Sequence, residues 1–161
     1  MIRLATTADA SAIAAIYNHY VINTQVTFEA EAVQDAEMAQ RITDTLAAEL
    51  PWLVREESGR VLGYSYASKW KSRCAYRYAV ESTVYLEKSA MARGLGTKLY
   101  TALITELRQK KLHAIIGGIA LPNPASVALH EKLGFQKVAQ FREVGWKFHK
   151  WIDVGYWELL L

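Results

Sequence analysis

The decapeptide MARGLGTKLY (Met91–Tyr100) decides the fold, because two closely spaced glycines in it join a strand pattern to a helix pattern. The apolar run VESTVYL precedes it, and the helix-like run LGTKLYTALITELRQKK begins within it. Gly94 and Gly96 allow a tight backbone turn and the close approach of a ligand. The start of the helix offers unpaired N–H groups and the positive end of its dipole. The order strand, glycine turn, helix therefore predicts a site that binds an anion such as a pyrophosphate.

The length and composition of the chain favour one domain that covers residues 1–161. A chain of 161 residues matches the usual size of a single domain, and its 52% of hydrophobic residues can build a core. The net charge of +3 is small, and no run of like charges resembles a nucleic-acid-binding arm. We therefore expect no nucleic-acid partner.

Cysteine usage and apolar segments bear on the location of the protein. Cys74 is the only cysteine, so no internal disulfide can form. The first ten residues, MIRLATTADA, carry polar residues where a secretion signal needs an apolar segment. No apolar stretch reaches the roughly 18 residues expected of a membrane span. These features predict a cytoplasmic protein without a membrane partner.

The first half of the chain contains two helix patterns and three strand patterns. Thr7 or Asp9 is a suitable cap for the first helix, and Pro51 is expected to end the second. The apolar face of the first helix consists of Ile13, Ile16, Tyr17 and Tyr20. The other predicted elements are a strand at Ile2–Ala5, a helix near Asp35–Leu50, and a hairpin of Trp52–Glu56 and Arg60–Lys69 around Ser58–Gly59.

The second half alternates strands and helices. Asn123 as N-cap, Pro124 at the first helical position and Gly134 just past the end predict a short helix. The other elements are a strand at Val80–Leu86, a long helix to about Lys110, a buried strand at His113–Ala120, and strands at Phe135–Val144 and Gly155–Leu161 joined by the aromatic and basic segment Trp146–Asp153. We predict an α/β (α+β) fold with a mixed, twisted sheet and helices on both faces.

Three kinds of phosphate-binding loop compete for the glycine-containing stretch. A Walker loop ends in Gly-Lys-Ser/Thr, whereas Thr97 follows Gly96 here. A dinucleotide fingerprint needs a glycine at the position of Leu99. The coenzyme A loop of acetyltransferases has the pattern Gln/Arg-x-x-Gly-x-Gly/Ala, which is matched at Gly94 and Gly96 but has Met91 at its first position. An ordinary turn between a strand and a helix is the alternative.

Several further motifs make the chain resemble the GCN5-related N-acetyltransferases (GNAT family) over nearly its whole length. Within the family it is similar to phosphinothricin N-acetyltransferases and methionine sulfoximine acetyltransferases. The segments that carry the resemblance are IYNHYV (Ile16–Val21), WKSRCAY (Trp70–Tyr76), VESTVYL (Val80–Leu86), ARGLGTKLY (Ala92–Tyr100), LPNPASVALHEKLGF (Leu121–Phe135) and KFHKWIDVGYWEL (Lys147–Leu159). The resemblance implies a mostly antiparallel sheet with a splayed central pair of strands, and acetyl-CoA as the co-substrate.

The resemblance also implies which residues bind acetyl-CoA. The backbone of the splayed strand would pair with the pantetheine arm as an added strand does, and one of its N–H groups would stabilise an oxyanion. The glycine loop would hold the pyrophosphate. Asn123 has two roles open to it, helix cap and pantetheine contact. The implied residues are Val84, Tyr85, Leu86, Ala92, Arg93, Gly94, Leu95, Gly96, Thr97, Asn123 and Lys132.

Glu81 is the first catalytic candidate. In a strand its side chain lies on the same face as those of Thr83 and Tyr85, opposite to that of Ser82. A carboxylate in so apolar a strand is costly unless it is paired, hydrated or functional. The resemblance places the general base of the family here, and partial burial would raise its pKa toward neutral pH. The alternative is a structural glutamate paired with an arginine such as Arg73.

His130 and Tyr100 are the candidates for the acid that protonates the departing thiolate. Many members of the family carry a tyrosine where this chain has His130, and phosphinothricin-type members resemble it in having histidine. On the short helix His130 lies four residues after Ser126, near the buried stripe; a structural histidine is the alternative. Tyr100 is either an orienting group or proton donor, or a core aromatic of the long helix.

The segment WKSRCAY supplies candidates for the acceptor site. Lys71 and Arg73 offer cations to a carboxylate or phosphinate, and arginine suits two-pronged recognition of such groups. Tyr76 would add a hydrogen bond and Phe28 an apolar wall. The resemblance supports a substrate-binding role for these four residues, and a solvated basic loop is the alternative. The histidines show no metal-ligand spacing, so we expect no metal site.

The resemblance implies an N-acetyltransferase that acts on the α-amino group of a small amino-acid-like acceptor, of the phosphinothricin or methionine sulfoximine type. Transfer would be direct, with both substrates bound together, and relatives imply a homodimer. Two alternatives stay open. The first is another amine, such as a protein N-terminus or a polyamine, although a polyamine would require an acidic pocket. The second is a non-catalytic acetyl-CoA-binding sensor, which Met91 makes conceivable.

Overall fold

Seven β-strands and four α-helices follow one another in the computed structural model, which describes residues 1–161. The strands are β1 (Ile2–Leu4), β2 (Trp52–Glu57), β3 (Arg60–Lys69), β4 (Ala79–Leu86), β5 (Ala114–Ala120), β6 (Gln136–Lys147) and β7 (Lys150–Leu160). The helices are α1 (Ala10–Asn23), α2 (Asp35–Ala47), α3 (Leu95–Gln109) and α4 (Pro124–Lys132). Single 3-10 turns lie at Thr7–Asp9, Cys74–Tyr76 and Lys88–Ala90.

All strands belong to one sheet, in the order β1-β2-β3-β4-β5-β7-β6. Every neighbouring pair is antiparallel except β4 and β5, which run parallel. The parallel pairing joins only Ala79–Glu81 to Ala114–Ile116, and the two strands separate after it. The predicted mixed, mostly antiparallel sheet with a splayed central pair is confirmed.

Each face of the sheet carries its own hydrophobic core. One core packs α1 and α2 against the sheet through residues such as Ile13, Ile42 and Tyr64. The other packs α3 against the opposite face through residues such as Leu103 and Ile115. Because side chains alternate along a strand, a single strand contributes to both cores. The helices therefore lie on both faces, as predicted.

The predicted end signals of two elements are present. The side chain of Asn123 accepts a hydrogen bond from the backbone N–H of Ser126 at 3.1 Å, Pro124 is the first residue of α4, and Gly134 after the helix has a φ of 91°. Ser58 and Gly59 form the two-residue turn of the β2–β3 hairpin with positive φ angles of 51° and 77°. These local residue choices fix where α4 and the hairpin begin and end.

Two predicted boundaries are wrong. The second helix ends at Ala47 and does not extend to Leu50, so Pro51 is not what ends it; the chain already leaves the helical conformation when Glu49 takes a left-handed φ of 58°. The segment Trp146–Asp153 is not a connection but the tip of a β6–β7 hairpin. Phe148 and His149 turn the chain with φ angles of 51° and 58°. Histidine occurs in the left-handed region more often than most residues do, but Phe-His is not one of the usual hairpin-turn dipeptides, so the sequence gives only a weak turn signal there.

The helices of the structure include none that is long and apolar enough to cross a membrane.

Candidate active site

A cleft of about 450 Å³ lies where β4 and β5 separate. Its walls come from both splayed strands, the end of α1, the glycine loop and α4. Glu81 enters it from one face of the sheet and Ser82 from the other. The residues that line the cleft are Tyr20, Val26, Glu81, Ser82, Thr83, Val84, Tyr85, Leu86, Met91, Ala92, Gly96, Gly118, Ile119, Ala120, Asn123, Ala125, Ser126, Leu129 and His130.

The free edge of β4 presents backbone groups to this cleft. The N–H of Glu87 donates to Leu62 on the β3 side at 2.9 Å. Since backbone direction alternates along an antiparallel strand, the N–H and C=O groups of Val84 and Leu86 face away from β3, whereas those of Tyr85 face toward it. Val84 and Leu86 can therefore pair with an extended amide chain. The hydroxyl of Tyr20 donates to the Leu86 carbonyl at 2.5 Å and closes one end of this edge.

The glycine loop presents further N–H groups at the start of α3. Gly94 is the N-cap residue with a φ of 70°, and Ala92 two residues earlier also has a positive φ, of 59°. The first N–H groups of a helix have no intrahelical partner, so those of Leu95, Gly96 and Thr97 are available to an anion. Such a concave run of N–H groups suits a phosphate. The loop and the β4 edge together fit an elongated ligand that carries amides and a diphosphate.

Of the side chains predicted to bind acetyl-CoA, some line the cleft and others point away from it. Asn123 lines the cleft while it caps α4. Arg93 instead forms an exposed ion pair with Glu57 at 3.0 Å. Lys132 is exposed at the last position of α4 and does not line the cleft, and Leu95 is buried in a small apolar cluster. Any contribution of the loop to anion binding therefore comes mainly from its backbone.

Glu81 lies in the cleft without an ion pair or hydrogen bond. Partial burial raises the pKa of its carboxyl group above the ordinary value, and the positive charge of Lys71 opposes this shift. The backbone of Gly118 passes close by, since a Cβ built there would lie 3.3 Å from the Glu81 Oε1. The pairing with Arg73 that sequence reasoning kept open does not form. An unpaired carboxylate with a raised pKa suits a general base.

On the other face of the sheet, three side chains form a hydrogen-bonded chain. The Ser82 and Tyr100 hydroxyls lie 2.5 Å apart, and the Tyr100 hydroxyl lies 3.0 Å from the Nε2 of His130. Only Ser82 and His130 line the cleft. Tyr100 is fully buried beneath them, with a pKa that burial raises far above the ordinary value. The structure therefore makes Tyr100 a core aromatic that reaches the cleft only through its two partners.

The hydrogen bonds of His130 determine its tautomer. The Nδ1 atom lies 2.8 Å from the backbone carbonyl of Ser126, which can only accept. Nδ1 must therefore carry the hydrogen, and Nε2 accepts from the Tyr100 hydroxyl. Burial lowers the pKa of His130, so the neutral form is favoured. The Tyr100 oxygen in turn can accept from Ser82, which sequence reasoning had not singled out.

A second chamber of about 310 Å³ lies on the Glu81 side of the sheet. Its lining is mainly apolar and includes the predicted wall residue Phe28, together with Val26, Glu81, Gly118, Ala120, Val144, Val154 and Tyr156. Lys71 does not line this chamber; its ammonium lies 4.7 Å from the ring centre of Trp70, and its charge acts on Glu81. Arg73 and Tyr76 are exposed around a 3-10 turn and line neither chamber. The structure thus brings Phe28 to Glu81 and leaves these two at the surface.

Similarity to known proteins agrees with this geometry. The family model described as the acetyltransferase (GNAT) domain matches residues 2–155. The chain belongs to the GNAT family. The predicted family membership of this GNAT domain is therefore confirmed.

Two characterised relatives share about two fifths of their residues with this GNAT domain. Phosphinothricin N-acetyltransferase of Streptomyces viridochromogenes is 40% identical over 157 residues, which are 98% of this chain and 85% of that protein. The L-methionine sulfoximine/L-methionine sulfone acetyltransferase of Salmonella typhimurium is 40% identical over 161 residues, or 99% of this chain and 94% of that protein. Both relatives are N-acetyltransferases of amino-acid-like compounds.

A solved structure has nearly the same fold. The yncA acetyltransferase of Salmonella typhimurium, determined with its cofactor acetyl-CoA, superimposes with a TM-score of 0.98 at 38% identity, over 100% of this chain and 93% of that one. Sequence reasoning on this GNAT domain missed three features around the site: Ser82 in the cleft, Tyr156 in the chamber next to Glu81, and the glycine pair Gly117–Gly118 of β5. The GG dipeptide within an aliphatic strand was the one available signal, because glycine in a strand interior marks close approach of another group.

Proposed function

We propose that this chain transfers the acetyl group of acetyl-CoA to the α-amino group of a small amino-acid-like acceptor, of the phosphinothricin or methionine sulfoximine type. Both substrates bind together and transfer is direct. One observation carries the proposal: the unpaired carboxyl group of Glu81 lies between two chambers, one edged by free backbone amides and one mainly apolar. A base in this position can take a proton from an amine bound in the apolar chamber while the acyl donor lies in the amide-edged chamber.

The amide-edged chamber accounts for acetyl-CoA. The backbone of Val84 and Leu86 would pair with the pantetheine amides, and the N–H groups of the glycine loop would hold the pyrophosphate. Met91 replaces a polar side chain of the family pattern, but the N–H groups on which the loop depends are unaffected by that replacement. When bound, acetyl-CoA supplies an acetyl group activated as a thioester.

The side chains around the splay divide the proton transfers between the two faces of the sheet. The Glu81 carboxylate takes a proton from the ammonium of the acceptor, directly or through a water, and leaves a free amine. On the opposite face Tyr100 returns a proton to the departing thiolate through the Ser82 hydroxyl, which lines the cleft. His130 also lines the cleft, but its neutral form carries no hydrogen on Nε2, so it donates a proton only when protonated and otherwise orients the Tyr100 hydroxyl. Holding both reactants in one cleft contributes up to roughly 7–11 kcal/mol in well-oriented cases.

The chamber next to Glu81 accounts for the acceptor. Phe28 forms part of its apolar wall, and the positive charge of Lys71 acts on Glu81 from outside the chamber, so an amino acid is favoured over a polyamine. Arg73 and Tyr76 are exposed on the neighbouring segment. We propose that they contact the carboxylate or phosphinate of the acceptor from there.

The deciding experiment measures release of the CoA thiol from acetyl-CoA with a panel of acceptors. Phosphinothricin, methionine sulfoximine and methionine sulfone are expected to be substrates, whereas spermidine and a peptide with a free N-terminus serve as competing classes. Turnover only with the peptide or spermidine would assign another amine. Tight binding of acetyl-CoA without turnover of any acceptor would assign the sensor function.

We further propose a homodimer, which is supported by exposed aromatic residues on the β6–β7 hairpin such as Trp146 and Trp151. Surface clusters of this kind commonly mark protein contacts. The cytoplasmic location stays a prediction from the sequence, which cell fractionation can check.

A further inference from the structure

Lys147 is a buried cation that the proposed reaction does not use. It lies near the end of β6 and is only 6% exposed. Its ammonium donates to the backbone carbonyl of Val21 at 2.7 Å and to that of Thr27 at 2.8 Å. Burying a charge costs free energy unless hydrogen bonds compensate it, and these two bonds provide the compensation. What remains to be explained is why a cation is buried at this position.

The two carbonyls belong to consecutive parts of the chain. Val21 lies in the last turn of α1, where carbonyl groups lack intrahelical partners and a cation interacts favourably with the helix dipole. Thr27 lies in the segment that follows, residues 24–28, which we call the wall loop. Lys147 therefore connects the end of α1 and the wall loop to the distant strand β6. Burial lowers the pKa of Lys147, and the nearby carboxylate of Glu29 opposes that shift.

A second contact attaches the wall loop to the same strand. The Phe28 ring lies directly over Gly145 of β6, so close that a Cβ built on that glycine would be 2.3 Å from the Phe28 Cζ. Other contacts hold the loop to α1 and to the end of β5: the Thr27 hydroxyl pairs with that of Tyr17 at 2.7 Å, and the Gln25 side chain donates to the Leu121 carbonyl at 3.3 Å. Its attachment to β6 consists of one cation and one ring, both at the end of that strand.

The wall loop shapes the site itself. Val26 lines both chambers, and Phe28 lines the chamber next to Glu81. We propose that Lys147 is a positioning residue that fixes the wall loop and thereby sets the affinity for the acceptor, without touching either substrate. This inference rests on the proposed function for its kinetic consequence, whereas the attachment of the loop is a property of the fold.

The kinetic test compares Lys147→Met with Lys150→Met, which removes an exposed lysine of the same hairpin. Lys147→Met should raise the KM for the acceptor about tenfold, because loss of the two hydrogen bonds lets the wall loop leave the position that fits the acceptor. The kcat and the KM for acetyl-CoA should stay within about twofold of the wild-type values, because Lys147 hydrogen-bonds to neither β4 nor the glycine loop and Val26 is the one wall-loop residue that also lines the acetyl-CoA cleft. Lys150→Met should change none of the three.

A second variant approaches the loop from its other attachment. Gly145→Ala places a methyl group where the Phe28 ring lies and should raise the acceptor KM in the same selective way. An unchanged acceptor KM in folded Lys147→Met protein would overturn the proposal. An equal loss in acetyl-CoA affinity and kcat would also overturn it, since that pattern indicates general disruption.

Hydrogen exchange provides a readout that needs no turnover. The amides of residues 25–28 should exchange faster in Lys147→Met than in Lys150→Met, while amides of α3 stay unchanged. If the wild-type protein acetylates no acceptor, the proposed function fails, but this exchange pattern still supports the attachment. Equal exchange in the two variants overturns it whatever the activity.

Discussion

Glu81 contributes negatively to stability because its carboxylate is partly buried without a partner. Burial raises its pKa, so the folded state binds this proton more tightly than the unfolded state does. Its contribution is therefore most favourable below the ordinary glutamate pKa and is lost as the pH rises through the raised value. Glu81→Gln should stabilise the fold at pH 8 and have less effect at pH 5, which urea unfolding at both pH values can measure.

The same substitution should remove the base. We expect kcat to fall about 10²–10⁴-fold, the usual range for a general base, with little change in acetyl-CoA binding. Glu31→Gln is the matched control, because Glu31 is an exposed glutamate outside the cleft. Unchanged turnover in Glu81→Gln would remove Glu81 from the proposed reaction. If Glu81→Gln is more stable than the wild-type protein but no longer turns over substrate, Glu81 is kept for catalysis although it lowers the stability of the fold.

Lys71 gives a second prediction at the residue scale. Its positive charge lowers the pKa of Glu81 and so works against the effect of burial. Removing that charge with Lys71→Met should raise this pKa further. Because a general base works only when ionised, the acid side of the profile of kcat against pH should move to higher pH. A profile that stays in place would show that Glu81 does not set the acid limb.

At the scale of elements, two neighbouring glycines of β5 face opposite sides of the sheet: Gly117 lies against His130, and Gly118 lies against Tyr156 and Glu81. A Cβ on Gly117 would lie 2.5 Å from the Nε2 of His130, and one on Gly118 would lie 3.2 Å from the Tyr156 ring. Gly117→Ala should displace the imidazole from Tyr100 and lower kcat. Gly118→Ala should raise the acceptor KM, because it narrows the chamber next to Glu81, and should lower kcat as well, because its Cβ would lie 3.3 Å from the Glu81 Oε1. Steady-state kinetics of both variants test this division.

Each variant serves as the control for the other. The two glycines are neighbours in one strand, so a general loss of β5 packing would change kcat and KM alike in both. Identical kinetic defects would therefore contradict the assignment of His130 to one face and the acceptor to the other. Circular dichroism should show native secondary structure in both proteins.

The glycine loop provides another matched pair. Gly94 and Gly59 both have positive φ, and a Cβ on either would meet nothing within 4 Å. Replacement of either glycine by alanine should therefore lower the free energy of unfolding by about 1–2 kcal/mol through backbone strain alone. Only Gly94→Ala should weaken acetyl-CoA binding in calorimetry, because Gly94 is the N-cap that orients the free N–H groups at the start of α3, whereas Gly59 lies in the β2–β3 hairpin turn. Equal affinities in both variants would contradict the loop as the diphosphate site.

Sequence reasoning succeeded for elements whose signals are local. Asn123, Pro124 and Gly134 marked both ends of α4, and the alternation around Glu81 assigned the two faces of β4. It failed at the tip of the β6–β7 hairpin, where Phe148 and His149 adopt left-handed angles although Phe-His is not one of the usual turn dipeptides. The hairpin is held by pairing along its strands, a tertiary property that the turn residues do not reveal.

At the scale of the whole molecule, the site exists because distant segments meet at one gap in the sheet. Ser82 and His130 are 48 positions apart, yet Tyr100 joins them in one hydrogen-bonded chain. Lys147 meets the wall loop across 120 positions. No local pattern predicts such meetings, so sequence and resemblance indicated His130 but not Ser82, and Phe28 but not the lysine that holds its loop.

The outer face of the β6–β7 hairpin leads to a prediction about assembly. Trp146 and Trp151 are a cross-strand pair with ring centres 4.7 Å apart, and both are more than half exposed, as is Val144 on the same strand. Burying such a pair against a second copy would remove a large apolar area from water. We therefore expect a dimer in analytical ultracentrifugation, which the double variant Trp146→Glu/Trp151→Glu should convert to monomers. Leu160→Glu, at an exposed apolar position at the far end of β7, is the control and should leave the dimer intact. A wild-type monomer, or a double variant that stays dimeric, would contradict assembly through this hairpin.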